Sequence, residues 1–239
     1  MQVQCSMNKI DLLSLPPVEC FIDFDGTISL EDTTDLLLAQ FAEPAWRTIE
    51  AAWERGAIGS RECMSRQVEL LRVEPVMLDL FANCLRIDPG FVRFVEALQA
   101  SNISVTIVSD GLDRVIAHAL KGYGLALPVL ANELMHAGND RWQLGCPHAS
   151  TSCRASSAHC KCASFDRAPD SALRVLIGDG RSDFCAASIA DMVFAKGKLA
   201  DHCRANGITY RSFGNFTDQP PLFSDWLASA MAVQSTHLL

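Results

Sequence analysis

Asp23-Phe24-Asp25-Gly26-Thr27 places two carboxylates one residue apart at the end of an apolar run, Val18 to Phe24. Alternate side chains of an extended chain share a side, so Asp23 and Asp25 face one small space and Phe24 the opposite one. Repulsion raises the pKa of one carboxyl unless a cation intervenes. One group can then be an ionised nucleophile or ligand while the other serves as acid and base. Gly26 lets the chain turn sharply, and Thr27 offers a hydroxyl to an anion or to a helix start. A solvated Asp-Gly turn is the bland alternative.

Two further strand ends carry polar groups. Ser109-Asp110-Gly111 follows a β-branched run and precedes a helix, where a hydroxyl and free backbone N–H groups make an anion site or a plain helix cap. Gly178-Asp179-Gly180-Arg181-Ser182-Asp183 sets two acids four residues apart across a helix start, so they can face one point. Asp183 could equally serve the helix dipole. Four carboxylates from separate strand ends would repel without a cation, and an all-oxygen set of Asp23, Asp25, Asp179 and Asp183 suits Mg²⁺. Lys161, shortly before the Asp179 strand, is the candidate cation for a phosphoryl group; a solvated loop lysine is the ordinary expectation.

The elements needed to position these groups follow from periodicity. Strands are expected at 18–24, 103–108, 175–177 and 192–194, with a short apolar segment at 127–131. Helices are expected from 91, at 112–121, 181–190 and 197–206, and the alternation implies a parallel sheet with helices on both faces. From Asp32 to Arg86, spacings of three and four punctuated by Pro44, Gly56, Gly59 and Pro75 predict about four helices with no strand. The chain therefore divides into an α/β core, 1–30 and 88–239, and a helical insert, 31–87.

Composition limits the partners. The 239 residues are 49% hydrophobic and 20% charged, enough for a large core. A formal charge of −8 without a basic run argues against nucleic acid and anionic membrane. The first twenty residues lack a signal-peptide pattern, since Asp11 and Ser14 interrupt them, and no window approaches a membrane span, so a cytoplasmic location is expected. Oligomeric state is not legible.

The order of motifs, Asp23-x-Asp25-Gly26-Thr27, then Ser109, then Lys161, then Gly178-Asp179 and Asp183, resembles the haloacid dehalogenase superfamily of phosphatases. The resemblance implies a Rossmann-like core and Mg²⁺-dependent hydrolysis of a small phosphorylated metabolite. It also implies Asp23 as the attacking group, with Asp25 as acid and then base. Ser109 and Lys161 would hold phosphoryl oxygens, assisted by Thr27, Asp110 and Gly111. Asp23, the backbone carbonyl of Asp25, and Asp179 would bind metal, with Asp183 in support. A helical insert after the first motif is similar to the subgroup containing phosphoserine phosphatase, phosphocholine-type phosphatases and the methylthiopentenyl-phosphate phosphatase of methionine salvage. Val108-Ser109-Asp110-Gly111-Leu112-Asp113, the Cys-flanked Lys161 and Gly178-Asp179-Gly180-Arg181-Ser182-Asp183 look most like the last of these and its relatives. Cys160-Lys161-Cys162 departs from a plain Cys-Lys-Pro ending. Phosphotransfer to another acceptor and a catalytically silent binding module are the rival classes.

The remaining candidates are secondary. Substrate selection would fall to the insert, with Glu31, Asp32, Asp35 and Arg47 as candidates, although helix capping by Asp32 or Thr33 and a solvated face explain them better. Cys146, Cys153, Cys160 and Cys162, beside His148 and His159, could bind a structural Zn²⁺, but they lack paired C-x-x-C knuckles and reduced thiols in a packed loop come first. Cys5, Cys20, Cys63, Cys84, Cys185 and Cys203 read as small buried hydrophobes.

Overall fold

The computed structural model describes residues 16–153, 155–218 and 223–229. Strand β1 (Val18–Ile22) lies at the centre of a seven-stranded sheet. The others are β2 (Ser104–Leu112), β3 (Val129–His136), β4 (Trp142–Gly145), β5 (Leu173–Gly178), β6 (Met192–Ala195) and β7 (Tyr210–Ser212), in the order β4-β3-β2-β1-β5-β6-β7. All neighbours are parallel except β3 and β4. The sheet is thus mostly parallel rather than wholly so. The expected 127–131 segment is the first half of a hairpin whose four-residue return strand is too short to show period-two patterning.

The pleat of β1 explains the two layers. Cys20 and Ile22 belong to one apolar cluster, with Val105, Ile107, Val175, Ile177 and Phe194, while Phe21 belongs to the other, with Val108, Leu176 and Val193. The first cluster packs under α5 (Phe91–Ala100) and α6 (Asp113–Lys121). Among the helices over the second are α7 (Lys161–Phe165), α8 (Phe184–Ala187) and α9 (Gly197–Asn206). The helix expected at 181–190 is a short 3₁₀ turn, Arg181–Asp183, followed by α8. Helix α7 and strand β7 lie in stretches where the sequence shows no periodicity; three and five residues are too few to display one.

Four helices stand between β1 and α5, as the punctuation predicts: α1 (Thr33–Phe41), α2 (Trp46–Glu54), α3 (Ser60–Val68) and α4 (Pro75–Asn83). Asp32 caps α1, its side chain accepting from Asp35 N at 2.9 Å, and Pro75 opens α4, where its missing N–H costs nothing. The two chain crossings into this block pair with each other through an antiparallel bridge, Ser29 with Ile87. Leu30 N donates to Arg86 O at 3.1 Å and Asp88 N to Ile28 O at 2.8 Å. Farther out, Arg114 grips Asp79 with two bonds of 2.7 and 2.8 Å, and Trp142 Nε1 donates to Val73 O at 2.9 Å. No helix among the described residues is long and apolar enough to cross a membrane.

The cysteines divide. Cys20, Cys63 and Cys203 are buried as expected, but Cys84, at the C-terminal end of α4, is exposed and Cys185, on the short α8, is half-buried. Cys5 lies outside the described residues.

Candidate active site

Parallel register sets the three motif-bearing strands side by side, since Ile22 is level with both Ile107 and Ile177. Their carboxyl ends therefore open on one edge, where α/β sheets place ligands. A cavity of about 660 Å³ lies there, between the sheet edge and the helical block. Asp23, Asp25, Ser109, Asp110, Gly111 and Asp179 all line it.

After Ile22 the chain leaves the strand sooner than expected and makes one wide turn over Phe24–Ile28. Gly26 has φ +68, and a Cβ there would lie 2.7 Å from Asp179 Oδ2, so the turn needs glycine for conformation and for space. Phe24 is fully buried in the apolar core while Asp23 and Asp25 both face the cavity, which is the predicted division by another backbone route. Asp23 Oδ1 accepts from Phe24 N at 2.8 Å and from Lys161 Nζ at 2.7 Å.

Lys161 is a buried residue, not a solvated loop lysine. Its ammonium donates to Asp183 Oδ1 at 2.6 Å and Ser182 Oγ at 2.9 Å as well as to Asp23. The cause is α7: Phe165 stacks on Phe21 of β1 at 4.5 Å, and Lys161, one turn earlier, is carried to the same side. Burial works against the charged ammonium, but Asp183 and Asp23 outweigh it and hold Lys161 above its ordinary value, hence protonated. Asp23 is pushed well up by burial and then by Asp183, against the pull of Lys161.

Asp25 differs from Asp23. Its Oδ1 accepts from Thr33 N at 2.8 Å and Thr33 Oγ1 at 2.5 Å, so the first residue of α1 orients it. Burial, then the nearby Asp32, raise its pKa to about 7, against the two Thr33 bonds. That value suits a group that gives and takes a proton near neutrality.

Carboxylate oxygens of Asp23, Asp179 and Asp183 all lie within 4.8 Å of one another. Three carboxylates against one ammonium leave an excess of negative charge, and an all-oxygen set of this kind fits Mg²⁺. Gly178 makes the close approach possible, because a Cβ there would meet Asp183 Cγ at 2.6 Å. Asp25's side chain is not in the group. Thr27 Oγ1 donates to Asp179 Oδ1 at 2.8 Å, so in this state it orients an acid instead of facing an anion.

Zinc is not supported. Among the described residues, no group of three or more metal-binding side chains other than the three aspartates comes together, and Cys146, Cys153, Cys160 and Cys162 are free thiols. Cys160, at the start of α7, neighbours both Cys153 and Cys162, and the His148 and His159 rings lie 4.9 Å apart, but His159 Nε2 is given to Ser164 Oγ at 2.7 Å and no three of these ligand atoms surround one point among the described residues.

The cavity's other wall comes from α1–α3. Glu31, Asp32 and Asp35 line it, whereas Arg47 lies over the Trp46 ring at 4.9 Å instead. Glu50, Trp53, Glu54, Ser60 and Gln67 also line it and were not singled out from sequence. The i, i+3, i+4 spacing of Glu50, Trp53 and Glu54 was the available signal. Arg181 reaches across and stacks on Trp53 at 5.0 Å.

A family model for haloacid dehalogenase-like hydrolases matches residues 20–188. The chain is 29% identical over 203 residues to a 2-hydroxy-3-keto-5-methylthiopentenyl-1-phosphate phosphatase of Brevibacillus brevis, covering 83% of this chain and 91% of that one. Among solved structures, phosphoserine phosphatase from T. onnurineus superposes with a TM-score of 0.63 at 16% identity, over 86% of this chain and 92% of that one. A phospho-aspartyl intermediate analogue of phosphoserine phosphatase gives 0.63 at 18% identity, over 87% and 99%. With a matching family model spanning every motif strand end described above, the chain belongs to the haloacid dehalogenase-like hydrolases and is a phosphatase of that family.

Proposed function

We propose that the protein hydrolyses a small phosphate monoester through an aspartyl-phosphate on Asp23, with Mg²⁺ bound by Asp23, the Asp25 backbone carbonyl, Asp179 and Asp183. The observation that carries this reading is the convergence of Asp23, Asp25 and Asp179 on one cavity, with Lys161 and Asp183 joined to Asp23 and Asp179 immediately behind them. Mg²⁺ would neutralise the clustered carboxylates and the phosphoryl oxygens. Residues 31–87 act as a cap over a core made of 1–30 and 88–239.

Each step then has an owner. An Asp23 carboxylate oxygen attacks phosphorus, the P–O bond to the alcohol breaks, and Asp25 gives its proton to the departing oxygen. Asp25 next takes a proton from water, whose oxygen attacks phosphorus and frees Asp23 and inorganic phosphate. Lys161, the Ser109 hydroxyl and the backbone N–H of Asp110 would hold the equatorial oxygens, while the Gly111 N–H donates to Ser109 Oγ at 2.9 Å and orients that hydroxyl. Thr27 acts indirectly, by fixing Asp179.

The named relative supports the methionine-salvage enol phosphate as substrate. The cavity supports a second reading: Asp32, Asp35, Glu50 and Glu54 would repel an extra carboxylate and favour a neutral or cationic leaving group, placing a phosphocholine-type ester ahead of phosphoserine. Phosphate release from these three esters with Mg²⁺ tests both. Asp23→Asn should lose at least about 10³-fold in kcat, and full release by that variant would overturn the nucleophile. Because Asp25 must begin protonated, kcat/KM for an alkyl phosphate should fall as pH rises through about 7. An aryl phosphate, whose leaving group needs no proton, should show a weaker fall.

A further inference from the structure

Asp110 is half-buried at the cavity wall, and three separate segments use its carboxylate. Oδ2 accepts from Ser60 Oγ at 2.6 Å, at the start of α3 in the helical block. Oδ1 accepts from the backbone N–H of His159 at 2.7 Å, and from Asn132 Nδ2 of β3 at 3.3 Å. Asn132 Nδ2 also donates to the Asp110 carbonyl at 2.7 Å. A carboxylate so engaged, and of the same sign as a phosphate, is no phosphate ligand. It is a junction between the block and the segment that carries Lys161.

The same two segments touch independently. Arg61 N donates to Ser156 O at 3.1 Å, and the Arg61 guanidinium donates to Ser157 O at 3.2 Å and Ser150 O at 3.4 Å. Gly59 sits so close that a Cβ on it would lie 2.8 Å from Ser156 Cβ. His159 is two residues from Lys161, so at about 3.8 Å per Cα step a shift at one is passed to the other.

We propose that Asp110 is a positioning residue that makes the placement of Lys161 conditional on docking of the helical block, through Ser60 on one oxygen and His159 on the other. The inference rests on the phosphatase reading for its consequence, since Lys161 then holds the phosphoryl group only when the chamber is closed. The linkage itself is independent of that reading. Short, charge-assisted bonds at both oxygens give the carboxylate one orientation, which a neutral spacer would not.

The test uses the full chain with Ser60→Ala, which removes the donor, Ser60→Thr, which keeps a hydroxyl, and Gly59→Ala, which wedges the docked surfaces apart without touching Asp110. Amide hydrogen exchange over 157–165 reads the linkage whether or not a substrate is known. Ser60→Ala and Gly59→Ala should each speed it by about fivefold or more, with Ser60→Thr within about twofold of the parent. Calorimetric affinity for inorganic phosphate with Mg²⁺ should weaken about tenfold in the first two variants and recover in the third. Unchanged exchange in Ser60→Ala and Gly59→Ala, or Ser60→Thr as impaired as Ser60→Ala, overturns the proposal. If Ser60→Ala fails to fold, Ser60→Cys, which replaces the hydroxyl by a weak donor of similar size, takes its place with the same expected outcome. Should the parent neither bind phosphate nor release it from any ester, the phosphatase reading falls while exchange still decides the linkage.

Discussion

The two walls of the cavity are built on opposite terms. On the sheet side, Asp23, Asp183 and Lys161 are almost wholly buried and joined by ion pairs of 2.6 and 2.7 Å, the two acids following strands in fixed register and the lysine carried by α7. On the helical side, Asp35 and Glu54 are exposed, Glu50 and Trp53 half-buried, and the groups stand on helix surfaces. Buried charges tolerate no loss of a partner, whereas half-exposed ones are screened and can be exchanged. Under the proposed mechanism the sheet wall would handle the phosphoryl group and the helical wall would choose the leaving group.

That contrast breaks first at Phe165. Its ring anchors α7, so Phe165→Ala should cost about 3–5 kcal/mol of stability and also displace Lys161. Denaturant titration alongside phosphate release checks it; full activity in a destabilised variant would show that Lys161 does not depend on the Phe21 stack. His159 gives a smaller effect from the same buried wall. Burial, with Lys161 next, lowers its pKa to about 3, so the unfolded chain binds a proton that the folded chain refuses between about pH 6.5 and 3. Stability should therefore fall as pH drops through this window, by about 2 kcal/mol from this group between pH 7.5 and 5. A His159→Gln protein should show a correspondingly flatter dependence, and an equal slope would reject the assignment.

The helical wall sharpens the contrast with the smallest effect. Glu50→Gln and Glu54→Gln should leave kcat for a neutral ester within about twofold, while shifting the ratio of kcat/KM between cationic and anionic esters by about three- to tenfold. Ratios that stay level would place selectivity elsewhere.

The sheet wall was also the legible one. Short acidic motifs at strand ends announce themselves because strand period and turn residues fix where the side chains go, as at Asp23 and Asp179. Lys161 was found by its place in the motif order, but its burial was not, because α7 is a five-residue helix whose reason is a ring stack with Phe21. Ser60 and Asp110 gave no signal of their bond, which joins positions fifty residues apart. In the cysteine run the reading that came first, reduced thiols in a packed loop, agrees with the free thiols found there; the missing C-x-x-C knuckles were the signal against zinc.

The paired crossings between sheet and helices have a mechanical consequence. Since Ser29 is bridged to Ile87, and Leu30 and Asp88 bond across to Arg86 and Ile28, the two connections form a single ribbon instead of two independent tethers. A ribbon bends readily across its face and resists shear in its plane, so swinging about that line breaks none of these bonds while sliding sideways breaks all of them. A swing of the helices along that line would therefore bring them back to the same seat.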